Sequence, residues 1–339
     1  MTEFLESFPQ LGPRPSWGRP LAGSPTVWTA ALRPYGRTEP RTPATLLSKA
    51  QEARICTPRA PIAGLSMDRP RVMGILNVTP DSFSDGGDLP SVEAATRRSQ
   101  DMSAAADILD IGGESTRPGA DTVPTDTEIA RTAPVIAAIR AAGITTPISI
   151  DTRKASVAEA ALDAGADIVN DVSAMTFDTA MAPLVAARGV PICLMHALGD
   201  PKTMQADPHY DDVVQEVATY LAGRIRAARR AGIEKRNIIV DPGIGFGKTL
   251  QHNVSLLRHL SVYHDLGQPI LLGASRKRFI GTLGKAEAAK DRMPGSVAVA
   301  LHGAAQGVQI LRVHDVNETR QALRLHLAIN EGYEDEQDA

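Results

Sequence analysis

Asn77, Asp151, Asn170, Met195, Asp241, Lys277, Arg312 and His314 share one property: each closes, or shortly follows, a short apolar run. Their types sort into two kinds of chemistry. Asn77, Arg117, Arg312 and His314 suit a phosphate-rich anion, because a guanidinium offers phosphate oxygens a planar fork of donors. Neighbouring glycine-rich turns, as in Gly112-Gly113 and Gly243-Ile244-Gly245-Phe246-Gly247, let backbone N–H groups approach such an anion. Asp151, Asn170, Asp241 and Lys277 suit a flat heterocycle. A buried carboxylate can accept two parallel N–H bonds from an amidine-like edge, Asn supplies a donor and an acceptor, and Lys donates to a ring oxygen or nitrogen. Singly, a strand-ending Asp or Asn is more often a helix cap or turn former. Capping does not call for Asn, Asp, Lys, Arg and His on eight strand ends at once.

The elements that must position these residues are legible from about residue 70 onward. Apolar runs at 72–76, 108–111, 148–151, 167–170, 192–195, 238–241, 270–273 and 309–313 alternate with helical patterns at 92–105, 127–142, 155–164, 180–188, 211–231, 254–263, 295–306 and 316–329. Continuous apolar strands alternating with helices indicate a parallel sheet covered on both faces. Eight such units predict an α/β fold, a (β/α)8 TIM barrel, whose catalytic groups collect at the C-terminal rim. An open doubly wound sheet with the same strand count is the competing architecture. The first strand runs into Thr79-Pro80-Asp81-Ser82-Phe83-Ser84-Asp85-Gly86-Gly87, a polar loop of the kind that carries function.

Composition narrows the class. The chain has 339 residues, 43% apolar, with a formal net charge of −3, which disfavours a nucleic-acid binder. It lacks an apolar run long enough to span a bilayer, and its start, with Glu3 and Glu6, lacks a secretory pattern, so the reading is a cytoplasmic protein. Cys56 and Cys193 are the only cysteines and form no CxxC motif; a disulfide between them is not expected. Residues 1–60 hold nine prolines with little periodicity and predict an N-terminal extension that is extended or disordered, although both tryptophans, Trp17 and Trp28, lie there. The domain reading is therefore an extension over 1–60, a barrel over 61–333 and an acidic tail over 334–339.

Several familiar motifs fail. Gly247-Lys248-Thr249 resembles the end of a phosphate-binding loop, but Pro242 stands where that loop needs its first glycine. No Ser-His-Asp or Cys-His spacing is recognisable, and no His cluster suggests zinc. His196, like most other histidines, reads as a supporting residue.

Taken together the rim motifs resemble those of the dihydropteroate synthase family of pterin-binding barrels. They are MGILNVTPDSFSDGG at 73–87, DIGGESTRPGA at 110–120, SIDT at 149–152, IVNDVSA at 168–174, LMH at 194–196, DPGIGFGK at 241–248, SRKRFIG at 275–281 and RVHDV at 312–316, in the family's order. The resemblance implies a transferase of folate biosynthesis. It would join 6-hydroxymethyl-7,8-dihydropterin diphosphate to p-aminobenzoate, with Mg2+, giving 7,8-dihydropteroate and diphosphate. It implies that Asp151, Asn170, Met195, Asp241 and Lys277 hold the pterin, and that Arg312 and His314 contact diphosphate. It places Asn77 at Mg2+ and diphosphate, and Thr116, Arg117, Pro118, Phe246 and Lys277 around p-aminobenzoate. Asp151, Asp241, Lys277 and Arg117 carry the catalytic roles. A homodimer and sensitivity to sulfonamide mimics are further implications, with no nucleic-acid or membrane partner.

One position departs from the pattern. Many members carry Ser after the Lys of the SRK motif, where this chain has Arg278, which puts its handling of p-aminobenzoate and sulfonamides in question. Two alternatives share the barrel. A non-catalytic pterin-binding paralogue would have lost loop residues, but Asn77, Asp81, Arg276 and Lys277 are present. A pterin-dependent methyltransferase would not need the TPDSFSDGG or SRK segments.

Overall fold

Alternating side chains in the first sixty residues build a small antiparallel sheet, so of the expected extended or disordered extension the chain is extended and paired. Strands β1 (Leu5–Leu11), β2 (Arg19–Pro20), β3 (Val27–Pro34) and β4 (Thr42–Pro43) pair around β3. The prolines that suggested disorder sit where a sheet tolerates them: Pro9 at the register shift of β1, and Pro20, Pro34 and Pro43 at strand ends. Leu21, Val27, Leu32, Ala44, Ile55 and Cys56 form the core of this unit, closed by α1 (Lys49–Ile55) with its Ser48–Gln51 capping box. Trp17 packs edge-on against Trp28, ring centroids 5.4 Å apart, so the two pin the sheet to itself. The sheet is fastened to the 3-10 helix Leu260–Leu266. The Leu5 N–H donates to Asp265 at 3.1 Å, Arg54 pairs with Asp265 at 2.7 Å, and Ser261 donates to the Ser7 carbonyl at 2.7 Å.

The computed structural model describes residues 3–79, 92–115, 122–199 and 203–332. The acidic tail at 334–339 lies outside them. Eight parallel strands follow the small sheet: β5 (Arg71–Asn77), β6 (Ile108–Gly112), β7 (Ile148–Asp151), β8 (Ile168–Asp171), β9 (Ile192–Met195), β10 (Ile238–Asp241), β11 (Leu271–Leu272) and β12 (Ile310–Val313). Each pairs with its sequence neighbour, β12 pairs with β5, and a bridge from Val240 to Ile270 closes the ring, so the sheet is a barrel. Helices α2 (Val92–Ser103) to α7 (Leu250–Arg258), α9 (Met293–Ala305) and α10 (Val316–Glu331) cover it, near the expected positions. A short helix α8 (Arg278–Gly284), absent from the sequence expectation, follows β11. Among the described residues no helix is long and apolar enough to cross a membrane.

Strand side chains alternate between the helix layer and the barrel interior. The interior at the N-terminal end is a closed apolar layer of Met73, Ile108, Ile168, Cys193, Ile239, Leu271 and Ile310, plugged from below by Ile62 and Met67. The next inward positions, two residues on, are Ile75, Asp110, Asn170, Met195, Asp241, Gly273 and Arg312. One apolar layer therefore sets the direction of the polar residues, and only the C-terminal mouth is left for a ligand.

Candidate active site

Arg312 organises the mouth. It rises from β12 and donates through Nε to Asp110 Oδ2 and through Nη2 to Asp151 Oδ2, both at 2.6 Å. Asn170 Nδ2 lies 3.4 Å from both oxygens of Asp110. Asp110 was not among the expected site residues. It stands at the end of the second apolar run and heads the DIGGESTRPGA motif, but was given no role; it lies two residues after the inward-facing Ile108 and is fully buried. The other oxygen of Asp151, Oδ1, is buried and has no hydrogen-bond partner among the described residues.

The remaining expected residues stand around this cluster. Gly112 lies between Asp151 and Asn77: a methyl group there would come within 3.7 Å of Asp151 Oδ2 and 3.8 Å of Asn77 Oδ1. Gly273 lies likewise between Asp241 and Arg312, at 3.7 Å from Asp241 Oδ2 and 3.8 Å from Arg312 Cδ. Asp241 accepts the Gly243 N–H at 2.7 Å. Lys277, at the N-terminal edge of α8, reaches back to donate to the Ile244 carbonyl and sets its ammonium 4.5 Å from the centre of the Phe246 ring. Met195 is buried on β9. His314 lies one inward step beyond Arg312 and sets Nδ1 3.1 Å from Ser275 Oγ, while Arg276 pairs with Asp315 beside it. Arg278 opens α8 with an exposed side chain.

Thr116, Arg117 and Pro118, like Asp81, lie outside the described residues. The chain on either side of 116–121 is fastened by a buried ion cluster. Lys154 reaches Glu114 at 2.6 Å and Glu128 at 2.5 Å, and Glu114 also accepts the Val123 N–H at 2.9 Å.

Burial sets the electrostatics. It drives the Asp151 carboxyl up to about 7, against the pull of Arg312 and with Asp110 adding to the rise. Burial also raises Asp241, opposed by Lys277, and lowers Lys277 to about 8, opposed by Asp241. Burial alone would lower Arg312, but Asp110 and Asp151 outweigh it and raise the guanidinium. The arrangement is a carboxylate-rich floor crossed by one fixed cation, with a second cation on an aromatic ring at its side. The sequence division into an anionic end and a heterocycle end is less sharp in space, since Arg312 bridges the two carboxylates.

Comparison with known proteins fits this geometry. Residues 73–314 match the family model described as pterin binding enzyme. A dihydropteroate synthase of Neisseria meningitidis serogroup B is 49% identical over 272 residues, covering 78% of this chain and 94% of that protein. The chain belongs to the dihydropteroate synthases. Solved structures of the family superpose on it. The Xanthomonas albilineans enzyme with 4-aminobenzoic acid gives a TM-score of 0.75 at 49% identity, over 80% of this chain and 98% of the other. The same organism's enzyme with 7,8-dihydropteroate gives 0.72 at 46% identity, with the same coverage. Like other dihydropteroate synthases the chain is a transferase of folate biosynthesis. It condenses 6-hydroxymethyl-7,8-dihydropterin diphosphate with p-aminobenzoate to form 7,8-dihydropteroate and diphosphate.

Proposed function

We propose that the mouth of this barrel divides that reaction among its residues as follows. Asp151 and Asp241 accept N–H bonds from the pterin edge, Asn170 supplies a donor and an acceptor, Lys277 donates to the ring, and Met195 forms an apolar wall. The observation that carries this reading is Asp151 Oδ1, a buried acceptor with no partner among the described residues, beside an oxygen already held by Arg312. Leaving a buried carboxylate oxygen unmatched costs about 1–3 kcal/mol, which a ligand N–H recovers. Arg312 and His314 face the diphosphate. Phe246, Lys277, Thr116, Arg117 and Pro118 border p-aminobenzoate, whose sulfonamide mimics compete for the same place.

An aromatic amine is already a nucleophile, so no strong base is required. The amine nitrogen forms a bond to the exocyclic carbon as the carbon–oxygen bond to diphosphate breaks, and the amine proton leaves to solvent. The protein stabilises the departing anion with cations and the electron-poor pterin with carboxylates. Catalytic roles fall to Asp151, Asp241, Lys277 and Arg117.

Among the described residues no group of three or more His, Cys, Asp or Glu could cage a metal. That suits Mg2+, which is commonly held by one or two protein oxygens and by substrate phosphates. Asn77, whose carboxamide oxygen flanks Gly112 across from Asp151, would hold it. Bound there, Mg2+ would neutralise charge on the leaving diphosphate. A cytoplasmic homodimer completes the reading; its support is the resemblance together with Leu325 and Ile329, exposed one turn apart on α10.

Calorimetry with the pterin diphosphate and Mg2+ tests the assignment. Asp151→Asn should weaken binding by about tenfold or more, the loss of one charge-assisted hydrogen bond. Unchanged affinity would remove Asp151 from the pterin site.

A further inference from the structure

Lys248 is 3% exposed and has no part in the site as assigned above. Its Nζ lies 2.9 Å from His196 Nδ1, 3.0 Å from the Phe246 carbonyl and 3.3 Å from the His196 carbonyl. Three acceptors match the three N–H bonds of an ammonium group. Burial holds the His196 ring neutral and pulls the Lys248 ammonium well below its ordinary value, so the contact rests on its geometry, three polar atoms gathered around one Nζ. Tyr220 holds that ring edge-on, centroids 4.8 Å apart.

The contact joins two strand ends. His196 follows β9, while Phe246 and Lys248 belong to the turn after β10. The turn lies directly on the backbone of 196–198. A methyl group on Gly243 would meet the His196 carbonyl oxygen at 1.8 Å, and one on Gly247 the Leu198 carbonyl oxygen at 2.4 Å. Other side chains also hold the turn, but at different atoms: Asn253 accepts the Gly245 N–H at 2.6 Å, and Tyr210 donates to the Gly247 carbonyl at 2.8 Å. Lys248 holds the residue whose ring lies against the Lys277 ammonium.

We propose that Lys248 is a positioning residue for p-aminobenzoate, acting through Phe246: it fixes the Phe246 backbone from within, and so fixes the ring that borders the aromatic substrate. The proposal rests on the assignment of Phe246 above. Because Asn253 and Tyr210 still tether the turn, Lys248→Met should fold and alter the ring more than the pterin floor.

A double-mutant cycle on KM for p-aminobenzoate, with pterin diphosphate affinity measured in parallel, tests it. Lys248→Met should raise that KM by about fivefold or more in the wild-type background but by less than about twofold in Phe246→Ala, since coupled residues are non-additive. In the wild-type background Lys248→Met should weaken pterin diphosphate binding by less than it raises that KM, because Lys248 acts on the pterin carboxylate Asp241 only through its charge. His196→Leu should reproduce the effect, and His196→Asn, whose Oδ1 can replace Nδ1 as acceptor, should reverse most of it; this pair decides the matter if Lys248→Met does not fold. Equal KM costs in both backgrounds would overturn the proposal alone. An unchanged KM in Phe246→Ala itself would remove the Phe246 assignment and the proposal together.

Discussion

Arg312 and Asp151 face each other across the barrel mouth, Nη2 to Oδ2 at 2.6 Å, although 160 residues of chain lie between them. The pair leaves one carboxylate oxygen of Asp151 buried and, among the described residues, unmatched. The floor of the site is thus held ready for a donor by a cation that the fold itself supplies.

From this relationship follows a division between turnover and aromatic-substrate binding. Asp151→Asn and Asp241→Asn should each lower kcat by about 100-fold, the scale of removing one preorganised electrostatic partner. KM for p-aminobenzoate should move by less than about threefold, because neither carboxylate borders that substrate. Steady-state kinetics with the two substrates varied separately measures both. Equal effects on kcat and on that KM would argue against carboxylate stabilisation of the pterin.

The pH profile should be narrow. Burial holds the Asp151 carboxyl at about 7, above the ordinary carboxylate value, so below that pH the group takes a proton and loses its capacity to accept. Activity should therefore fall on the acid side of about 7. Burial holds Lys277 at about 8, below the ordinary value, so above that pH the amine loses its charge and activity should fall again. Measuring kcat/KM from pH 5.5 to 9.5 checks both limbs, and Asp151→Asn should abolish the acid one. An acid limb that survives in the variant would assign it to another group.

Gly243 should tolerate no side chain. Its φ of +68° and the 1.8 Å approach to the His196 carbonyl oxygen combine strain with a clash against backbone. Gly243→Ala should cost about 2–5 kcal/mol in urea unfolding, the sum of a left-handed conformation and an overpacked contact. A loss below about 1 kcal/mol would mean that the turn can lift from 196–198.

The amino-terminal sheet should matter to stability and not to chemistry. Arg54→Met leaves the Asp265 carboxylate, 5% exposed, with the Leu5 N–H as its remaining partner among the described residues. It should lose about 1–3 kcal/mol of stability, the cost of an under-satisfied buried charge whose partner was half exposed. Specific activity at 25 °C should be unchanged. A drop in activity without a loss of stability would connect the sheet to the site.

Much of the barrel was legible because parallel strands buried on both faces read as apolar runs, and each run stops where the chain meets the mouth. The inward set was legible to the extent that strand-ending residues could be tied to the motifs. Asp110 escaped assignment although it stands at the end of an apolar run and heads a motif, because only period-two alternation from Ile108 shows its direction. The sheet over residues 5–43 escaped because its prolines mimic disorder until the pairing that places them at strand ends is known. Helix α8 escaped because seven residues beginning Arg278-Phe279-Ile280 hold too little periodicity to signal a helix. The buried link from His196 to Lys248 was invisible in principle: fifty-two positions separate the residues, and only barrel closure brings their loops together.

The most direct measurement is product formation. Protein, pterin diphosphate, p-aminobenzoate and Mg2+ are incubated together and dihydropteroate is sought by mass, with Lys277→Ala beside the wild type. Product should form with the wild type and little with the variant, which has no ammonium to reach the Ile244 carbonyl and the Phe246 ring. Binding of the pterin diphosphate with no product from the wild type, or equal product from both, would contradict the assignment.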